Sequence, residues 1–338
     1  MRKDYRAGTV KTSQMNPALE SLVFALNEHP VDPGENLFLG AEPHPELPKV
    51  TGWQPLKPLA VACEQAGMKL VEEPSGKFQT VFFLPGKSKE EVLAGFAKAH
   101  DLLEGDGKLV VVIANSAGAS RFEKELKQAT PLLYSVSKNK CRTFAVSKQE
   151  PWNEQVLSEW RDLGARSTIP ETSFVTEPGV FSAKHIDPGS ALLVEHLPPS
   201  LRGKVADLGA GWGFLSQAAL QKSPKITRID LFEADRRALD CARENVSGNA
   251  AFHWHDVTVG LSETYDHIIT NPPFHTAQAK DVDLGKQFLS VAAASLKRGG
   301  GLYVVANRQL PYEAHLTELG LRSRQIAENH AYKVIFAS

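Results

Sequence analysis

Apolar positions follow two rhythms along this chain, a helical spacing and short unbroken runs closed by Gly, Pro or Asn. Residues 14–28 place Met15, Leu19, Leu22, Val23 and Leu26 at helical spacing, with Asn16-Pro17 as the start. Buried strands are predicted at 36–40, 79–84 and 109–114, with a shorter one at 69–72. Helices are predicted at 58–66, 121–128 and 88–103, the last opening on Ser88 with Glu90 and Glu91. Residues 105–107 read as a turn, and 135–147 as a hairpin around Asn139. Strands alternating with helices predict an α/β domain with a mostly parallel sheet. Between 150 and 166, Trp152, Val156, Leu157 and Trp160 share one helical face, so this stretch is expected to be a helix packed against either domain, with a hinge as the alternative.

The second half repeats the pattern. Strands are expected at 204–208 and 226–232, with others ending near 256 and at Ile268-Ile269; a helix is expected at 214–221. Glu177-Pro178-Gly179 reads as a hairpin turn, and Asp187-Pro188-Gly189-Ser190 as a helix start with Asp187 near the cap. Gln287 and Phe288 fall on a later helix; 296–301 reads as its end and a turn, with Asn307 and Pro311 beyond the next strand.

Laid on itself, the chain matches. Residues 78–85 fall on 265–272, 110–115 on 302–307, 143–147 on 334–338, and Leu39-Gly40-Ala41 on Leu208-Gly209-Ala210. After Ala41 the first copy continues Glu42-Pro43-His44, where the second has Gly211-Trp212-Gly213. Where the second copy has Asn271-Pro272-Pro273-Phe274, the first has Leu84-Pro85-Gly86. This pattern predicts a duplicated domain whose first copy lacks the ligand site. The expected division is 1–165 and 166–338.

The ligand chemistry follows from spacing. Asp207 precedes Gly209-Ala210-Gly211-Trp212-Gly213, and a helix follows at once. Glycines let a backbone turn sharply and approach a ligand at a helix amino terminus. A dinucleotide site wants G-x-G-x-x-G, whereas this run is G-x-G-x-G. A carboxylate at Asp207 repels a pyrophosphate and suits the cationic end of S-adenosylmethionine. Glu233, followed by Ala234, is placed to accept ribose hydroxyls. Asp256, followed by Val257, is placed to accept from an adenine amino group. Asp207, Glu233, Asp256 and Asn271 close four strands in order, forming one ligand edge. The cofactor set is therefore Asp207, Gly209, Ala210, Gly211, Gly213, Glu233, Ala234, Asp256, Val257 and Asn271.

The Asn271-Pro272-Pro273-Phe274 loop is stiff, because two prolines donate nothing to a ladder and restrict the residues before them. It offers the Asn271 side-chain carbonyl, the carbonyls of Asn271 and Pro272, and the Phe274 ring. Two convergent acceptors hold an –NH2 group, and a ring beside them stacks on a planar base. That suits methylation of an exocyclic or amide nitrogen.

Composition narrows the partners. The net charge is −1, and the halves divided at Ala165 hold 20 Lys+Arg against 21 Asp+Glu and 18 against 18. Any RNA contact must therefore use local patches. Cys63, Cys141 and Cys241 are far apart without metal-ligand spacing, so neither disulfide nor metal is expected. Apolar runs fall short of a membrane span, and the amino terminus has no apolar signal region, so a cytoplasmic protein is expected.

Gly179-Val180-Phe181-Ser182, the 207–213 loop and Asn271-Pro272-Pro273-Phe274-His275 together resemble the bacterial ribosomal RNA guanine-N2 methyltransferases of type C, which modify the RNA of the small ribosomal particle. Type G, which modifies the large particle, is a near relative. Asn-Pro-Pro-Phe alone is shared with adenine-N6 and glutamine-N5 methyltransferases. The family often has Asp-Gly after the His, where this chain has Thr276-Ala277. The resemblance implies two tandem Rossmann-like domains of the class I methyltransferase kind, each a seven-stranded, mostly parallel sheet flanked by helices, the first degenerate. It implies methyl transfer from S-adenosylmethionine to guanine N2 in ribosomal RNA, with 16S RNA in the small ribosomal subunit as substrate, by a monomer. Asn271, Pro272 and Phe274 take the catalytic roles; Pro273, Phe274, His275, Phe181 and Ser182 face the substrate. The rivals are a 23S RNA guanine-N2 enzyme, a glutamine-N5 protein methyltransferase and a non-catalytic RNA-binding assembly factor.

Overall fold

The computed structural model describes residues 16–273 and 279–338. Two compact units emerge, one holding the described residues to Gln54 with Ala62–Asp162, the other Pro55–Val61 with Leu163–Ser338.

The first unit is built on β1 (Asn36–Leu39), β2 (Thr51–Trp53), β3 (Lys69–Leu70), β4 (Phe78–Phe83), β5 (Leu103–Ala114), β6 (Tyr134–Lys138) and β7 (Cys141–Ser147), in the order β3-β2-β1-β4-β5-β7-β6. The strands run parallel from β3 to β5, and β7 is antiparallel to both β5 and β6. The helices are α1 (Pro17–Glu28), α3 (Lys89–Leu102), α4 (Ala119–Ala129) and α5 (Glu154–Leu163), while α2 (Lys57–Gln65) has its first turn and a half in the second unit and its end in the first. Period-two alternation splits the core into layers. Leu37, Leu39, Val81, Phe83, Val111 and Ile113 face α3, α4 and α5, while Phe38, Phe82, Val110 and Val112 face α1. Covered on both faces, β5 reads as a continuous apolar run.

The second unit opens with a small hairpin, β8 (Ser167–Thr168) and β9 (Val175–Thr176). Its main sheet holds β10 (Arg202–Leu208), β11 (Lys225–Glu233), β12 (Ala250–Trp254), β13 (Tyr265–Thr270), β14 (Leu296–Asn307), β15 (Ser323–Glu328) and β16 (Tyr332–Ala337). The order β12-β11-β10-β13-β14-β16-β15 repeats the first sheet strand for strand. Around it lie α6 (Pro188–His196), α7 (Phe214–Lys222), α8 (Arg236–Asn245), α9 (Ala279–Ser295) and α10 (Tyr312–Glu318). Val205, Ile229, Leu231 and Ile269 pack on one layer, and Ala206, Leu208, Phe232 and Ile268 on the other.

Several expectations change. Strand β2 was not foreseen; it is three residues long and contains Gly52, too short for a periodic signal. The 105–107 turn and the 296–301 helix end both lie within strands. Phe78 pairs with Leu103 but Thr80 with Lys108, so residues 104–107 bulge from β5. Tyr265 pairs with Leu296 but His267 with Gly301, the same excursion in the other copy. The pairings Val81–Leu109 and Ile268–Leu302 shift the repeat by one residue, placing Ala114 rather than Asn115 on Asn307. The hairpin turn lies between β8 and β9; Glu177-Pro178-Gly179 begins the next loop, where the Val180 N–H donates to the Glu177 carbonyl. Helix α5 packs as a helix on one of the two units, as expected, joining the first core through Leu157 and Trp160.

Candidate functional site

The carboxyl ends of β12, β11, β10 and β13 lie side by side, so Asp256, Glu233, the 209–213 turn and Asn271 fall along one edge. The chain leaves β10 through Gly209, Gly211 and Gly213, all in the left-handed region at φ 72°, 55° and 92°. Each N–H of Gly209 and Ala210 donates to the Phe232 carbonyl, pinning the turn to β11. A Cβ on Gly211 would meet nothing within 4 Å, so its backbone lines open space. On Gly213 a Cβ would come within 2.5 Å of Val246, so that glycine is needed for the close approach of α7 to α8.

Asp207 is fully buried within β10. Its Oδ2 accepts from the Ser216 hydroxyl on α7 at 2.7 Å, while Oδ1 has no partner among the described residues. Burial pushes its carboxyl up to about 7, against the pull of the Ser216 bond. Glu233 takes the Gly211 N–H on Oε2 at 2.7 Å and the Asp235 N–H on Oε1 at 2.8 Å. Burial also raises its carboxyl, against those backbone bonds. Asp256 caps the short turn at 257–259, its Oδ1 accepting from the Thr258 N–H at 2.9 Å and the Thr258 hydroxyl at 2.7 Å. The Ala234 carbonyl accepts from Trp254 Nε1 at 2.9 Å, and Val257 is buried.

Asn271 leaves β13 beside buried Pro272 and half-buried Pro273. Its Nδ2 donates to Asp187 Oδ2 at 2.9 Å and to Ser190 Oγ at 2.8 Å. A carboxylate oxygen can only accept, which fixes the nitrogen on that side and the carbonyl oxygen on the other. That oxygen, Oδ1, is buried without a partner among the described residues. A buried acceptor left unmatched costs roughly 1–3 kcal/mol, so it marks a place where a donor belongs.

A family model described as the Methyltransferase small domain matches residues 171–336. The chain is 31% identical over 259 residues to the ribosomal RNA small subunit methyltransferase C of Shewanella piezotolerans, covering 75% of each chain. It is 29% identical over 287 residues to that of Salmonella paratyphi B, covering 83% of this chain and 82% of the other. The chain belongs to the ribosomal RNA small subunit methyltransferase C family. The solved structure of the T. thermophilus 16S rRNA N2 methyltransferase, in complex with AdoMet and guanosine, shares the fold with a TM-score of 0.76 at 24% identity, covering 97% of this chain and 93% of that one.

Phe181 is half exposed. Its carbonyl accepts from Trp212 Nε1 at 3.0 Å, which ties the 177–186 loop to the glycine turn. Ser182 adopts φ 51° and donates its hydroxyl to the His185 carbonyl at 2.7 Å, a local use. Phe274 and His275 lie outside the described residues. Phe288 is buried, with Cε1 3.3 Å from the position of a Cβ on Gly209, so it backs the glycine turn. The Asn307 carbonyl accepts from the Leu310 N–H in the turn after β14.

Sequence reasoning assigned Asp187 only a helix cap and passed over Ser190, Ser216 and Asn245. Asn245 Nδ2 donates to the Trp212 and Val175 carbonyls, both at 2.8 Å, bracing the glycine turn. A lone Asn at a helix end carries no signal for that. Ser190 and Ser216, small polar residues amid apolar helical positions, were the available hint.

Proposed function

We infer that this chain transfers a methyl group from S-adenosylmethionine to the exocyclic N2 amine of a guanine in 16S ribosomal RNA. The observation that carries this is the buried Oδ1 of Asn271, which has no partner among the described residues and is oriented by its own amide nitrogen at the carboxyl edge of a small subunit methyltransferase C fold. The names of the relatives supply the RNA and the guanine.

The residues fit the cofactor. The open backbone at Gly211 leaves room for it, the Asp207 and Glu233 carboxylates suit its cationic and ribose portions, and Asp256 with Val257 suits the adenine. When bound, S-adenosylmethionine supplies an electrophilic methyl group. Asn271 Oδ1 takes one N–H of the guanine amine and the Pro272 carbonyl takes the other. Held so, the nitrogen is drawn out of conjugation with the ring and its lone pair becomes available. No strong base is needed, because the nitrogen grows acidic as it is alkylated. Positioning of this kind supplies on the order of 7–11 kcal/mol of rate enhancement. The role assigned to Phe274 is stacking on a base withdrawn from its helix, and that of Pro273, His275, Phe181 and Ser182 is contact with the substrate.

The test is transfer of tritiated methyl groups to small subunits, large subunits and naked ribosomal RNAs from a strain lacking the gene. Label on guanine N2 of 16S RNA is expected. Label on 23S RNA or on a protein glutamine overturns the assignment. Asn271→Ala is expected to abolish transfer while cofactor affinity stays within about threefold; near-normal turnover sinks the role of Asn271.

A further inference from the structure

We propose that Asp187 and Ser190 are positioning residues for methyl transfer, setting the orientation of the Asn271 amide; this rests on the role given to Asn271 above. The three side chains form a closed set. Asp187 Oδ2 and Ser190 Oγ, at 2.9 Å and 2.8 Å, consume both hydrogens of Asn271 Nδ2. Oδ1 is thereby turned to the opposite side, where it is buried and unmatched among the described residues.

The holders are themselves held. Asp187 is the amino-terminal cap of α6, and its Oδ2 accepts the Ser190 N–H at 2.8 Å. Ser190 is buried in the first turn of that helix. Gly189 lies between them, and a Cβ there would stand 3.0 Å from both Asp187 Oδ2 and the Tyr332 ring. A helix cap does not need an asparagine 84 residues away, nor does a strand end need a carboxylate. The joint arrangement serves the direction of one carbonyl.

Two carboxylates at the 2.9 Å spacing of this pair repel when both are ionised, so the pair holds its last proton to a pH well above the usual carboxylate range and loses it only in alkaline solution. In Asn271→Asp the shared proton completes the bond to Asp187 and leaves a carbonyl oxygen where Oδ1 stood, so the protonated variant imitates the natural residue. Among the described residues, Tyr332 also stands beside the pair, its phenol pushed up by burial and by the Asp187 charge.

Methyl transfer and cofactor affinity are measured on the full chain. Ser190→Ala keeps the helix cap and is expected to lower kcat about tenfold, and Asp187→Ala up to about a hundredfold, both with cofactor affinity within about threefold. Asn271→Asp, read relative to the unchanged protein at each pH, is expected to be nearly inactive at pH 8 and to recover as pH falls. Adding Asp187→Asn removes the like charge and offers a donor, so activity at pH 8 rises about tenfold or more over Asn271→Asp and the pH dependence flattens. Normal kcat in Ser190→Ala and Asp187→Ala, or a flat pH profile in Asn271→Asp, overturns the proposal. Loss of cofactor binding in step with kcat assigns the two residues to cofactor retention and also overturns it. Full turnover in Asn271→Ala instead strikes the underlying role of Asn271, which separates the two failures.

Discussion

The two units share a strand order and differ almost entirely at one edge. Leu39 and Trp53 pair in the first sheet as Leu208 and Phe232 do in the second, which fixes the equivalences. Gly40 and Gly209 both adopt φ 72° and donate to the carbonyl of the facing aromatic, Trp53 or Phe232. The turn itself is therefore common to both. Beyond it the units part. Where Asp207 stands, the first unit has Phe38, fully buried against α1. Where Glu233 receives the Gly211 N–H, Gln54 instead donates to the Ala41 carbonyl at 2.7 Å. Where Gly211 leaves open space, Glu42 accepts from Asn16 at 3.1 Å, and nearby His44 contacts Glu20 at 3.3 Å. No helix follows Gly40, whereas α7 follows Gly213. The gap between strand ends also differs. A Cβ on Gly40 would lie 2.2 Å from the Leu84 carbonyl oxygen; on Gly209 it would lie 3.9 Å from that of Asn271. Asp187, Ser190 and Asn271 become Asn16, Leu19 and Leu84, so the amide network is absent as a unit. The sheet and its turn recur without the counterparts of Asp207, Glu233 and Asn271, so the fold does not require these polar residues.

The sharpest test writes Leu84 into the second unit. Asn271→Leu should reduce methyl transfer by about 1000-fold, at the upper end for loss of one preorganised polar group, with little change in cofactor affinity by calorimetry. The converse test strikes the unit without a site. Phe38→Ala should destabilise the protein by about 3–5 kcal/mol in chemical denaturation, while the folded fraction keeps its cofactor affinity. Comparable loss of affinity would mean that the first unit supports the site more directly than this contrast suggests. Gly211→Glu brings in Glu42 and fills the open space. Cofactor affinity should fall about a hundredfold, and the positive φ should cost roughly 1–2 kcal/mol of stability.

A further test concerns Asp207. Its carboxyl, near 3.8 when unfolded and about 7 when buried, binds a proton in the native state that the unfolded chain releases between those values. Stability should therefore fall as pH rises through that window. Asp207→Asn should lose the dependence, gaining thermal stability over the parent at pH 8 and little at pH 4. A parent whose stability is level from pH 4 to pH 7 would contradict this.

Much of this was legible from residues a few places apart. Asn16-Pro17 and Asp187-Pro188 announced two helix starts, and both side chains cap as expected. Ser88 announced α3 and accepts the Glu91 N–H. Asn139 announced the hairpin, and with Lys140 supplies the positive φ that a tight two-residue turn requires. The glycine spacing and the order of acidic strand ends placed Asp207, Glu233, Asp256 and Asn271 along one sheet edge, and the strand order brings them there. Strand β2 escaped because three residues, one of them glycine, carry no periodic signal.

By itself, then, the sequence determined what local rules control: strands where apolar runs end at proline or glycine, caps where a short polar chain meets a helix, and a turn only glycines can make. The tertiary structure decided what depends on residues distant along the chain. It set the one-residue register of the repeat through pairing with neighbouring strands, and it closed the first unit's edge with Asn16, Glu42 and Gln54. It also brought Asp187 and Ser190 to Asn271 across more than 80 residues, fixing which way one carbonyl points. Hydrogen-bond direction depends on the acceptor that arrives, and no spacing rule specifies that arrival.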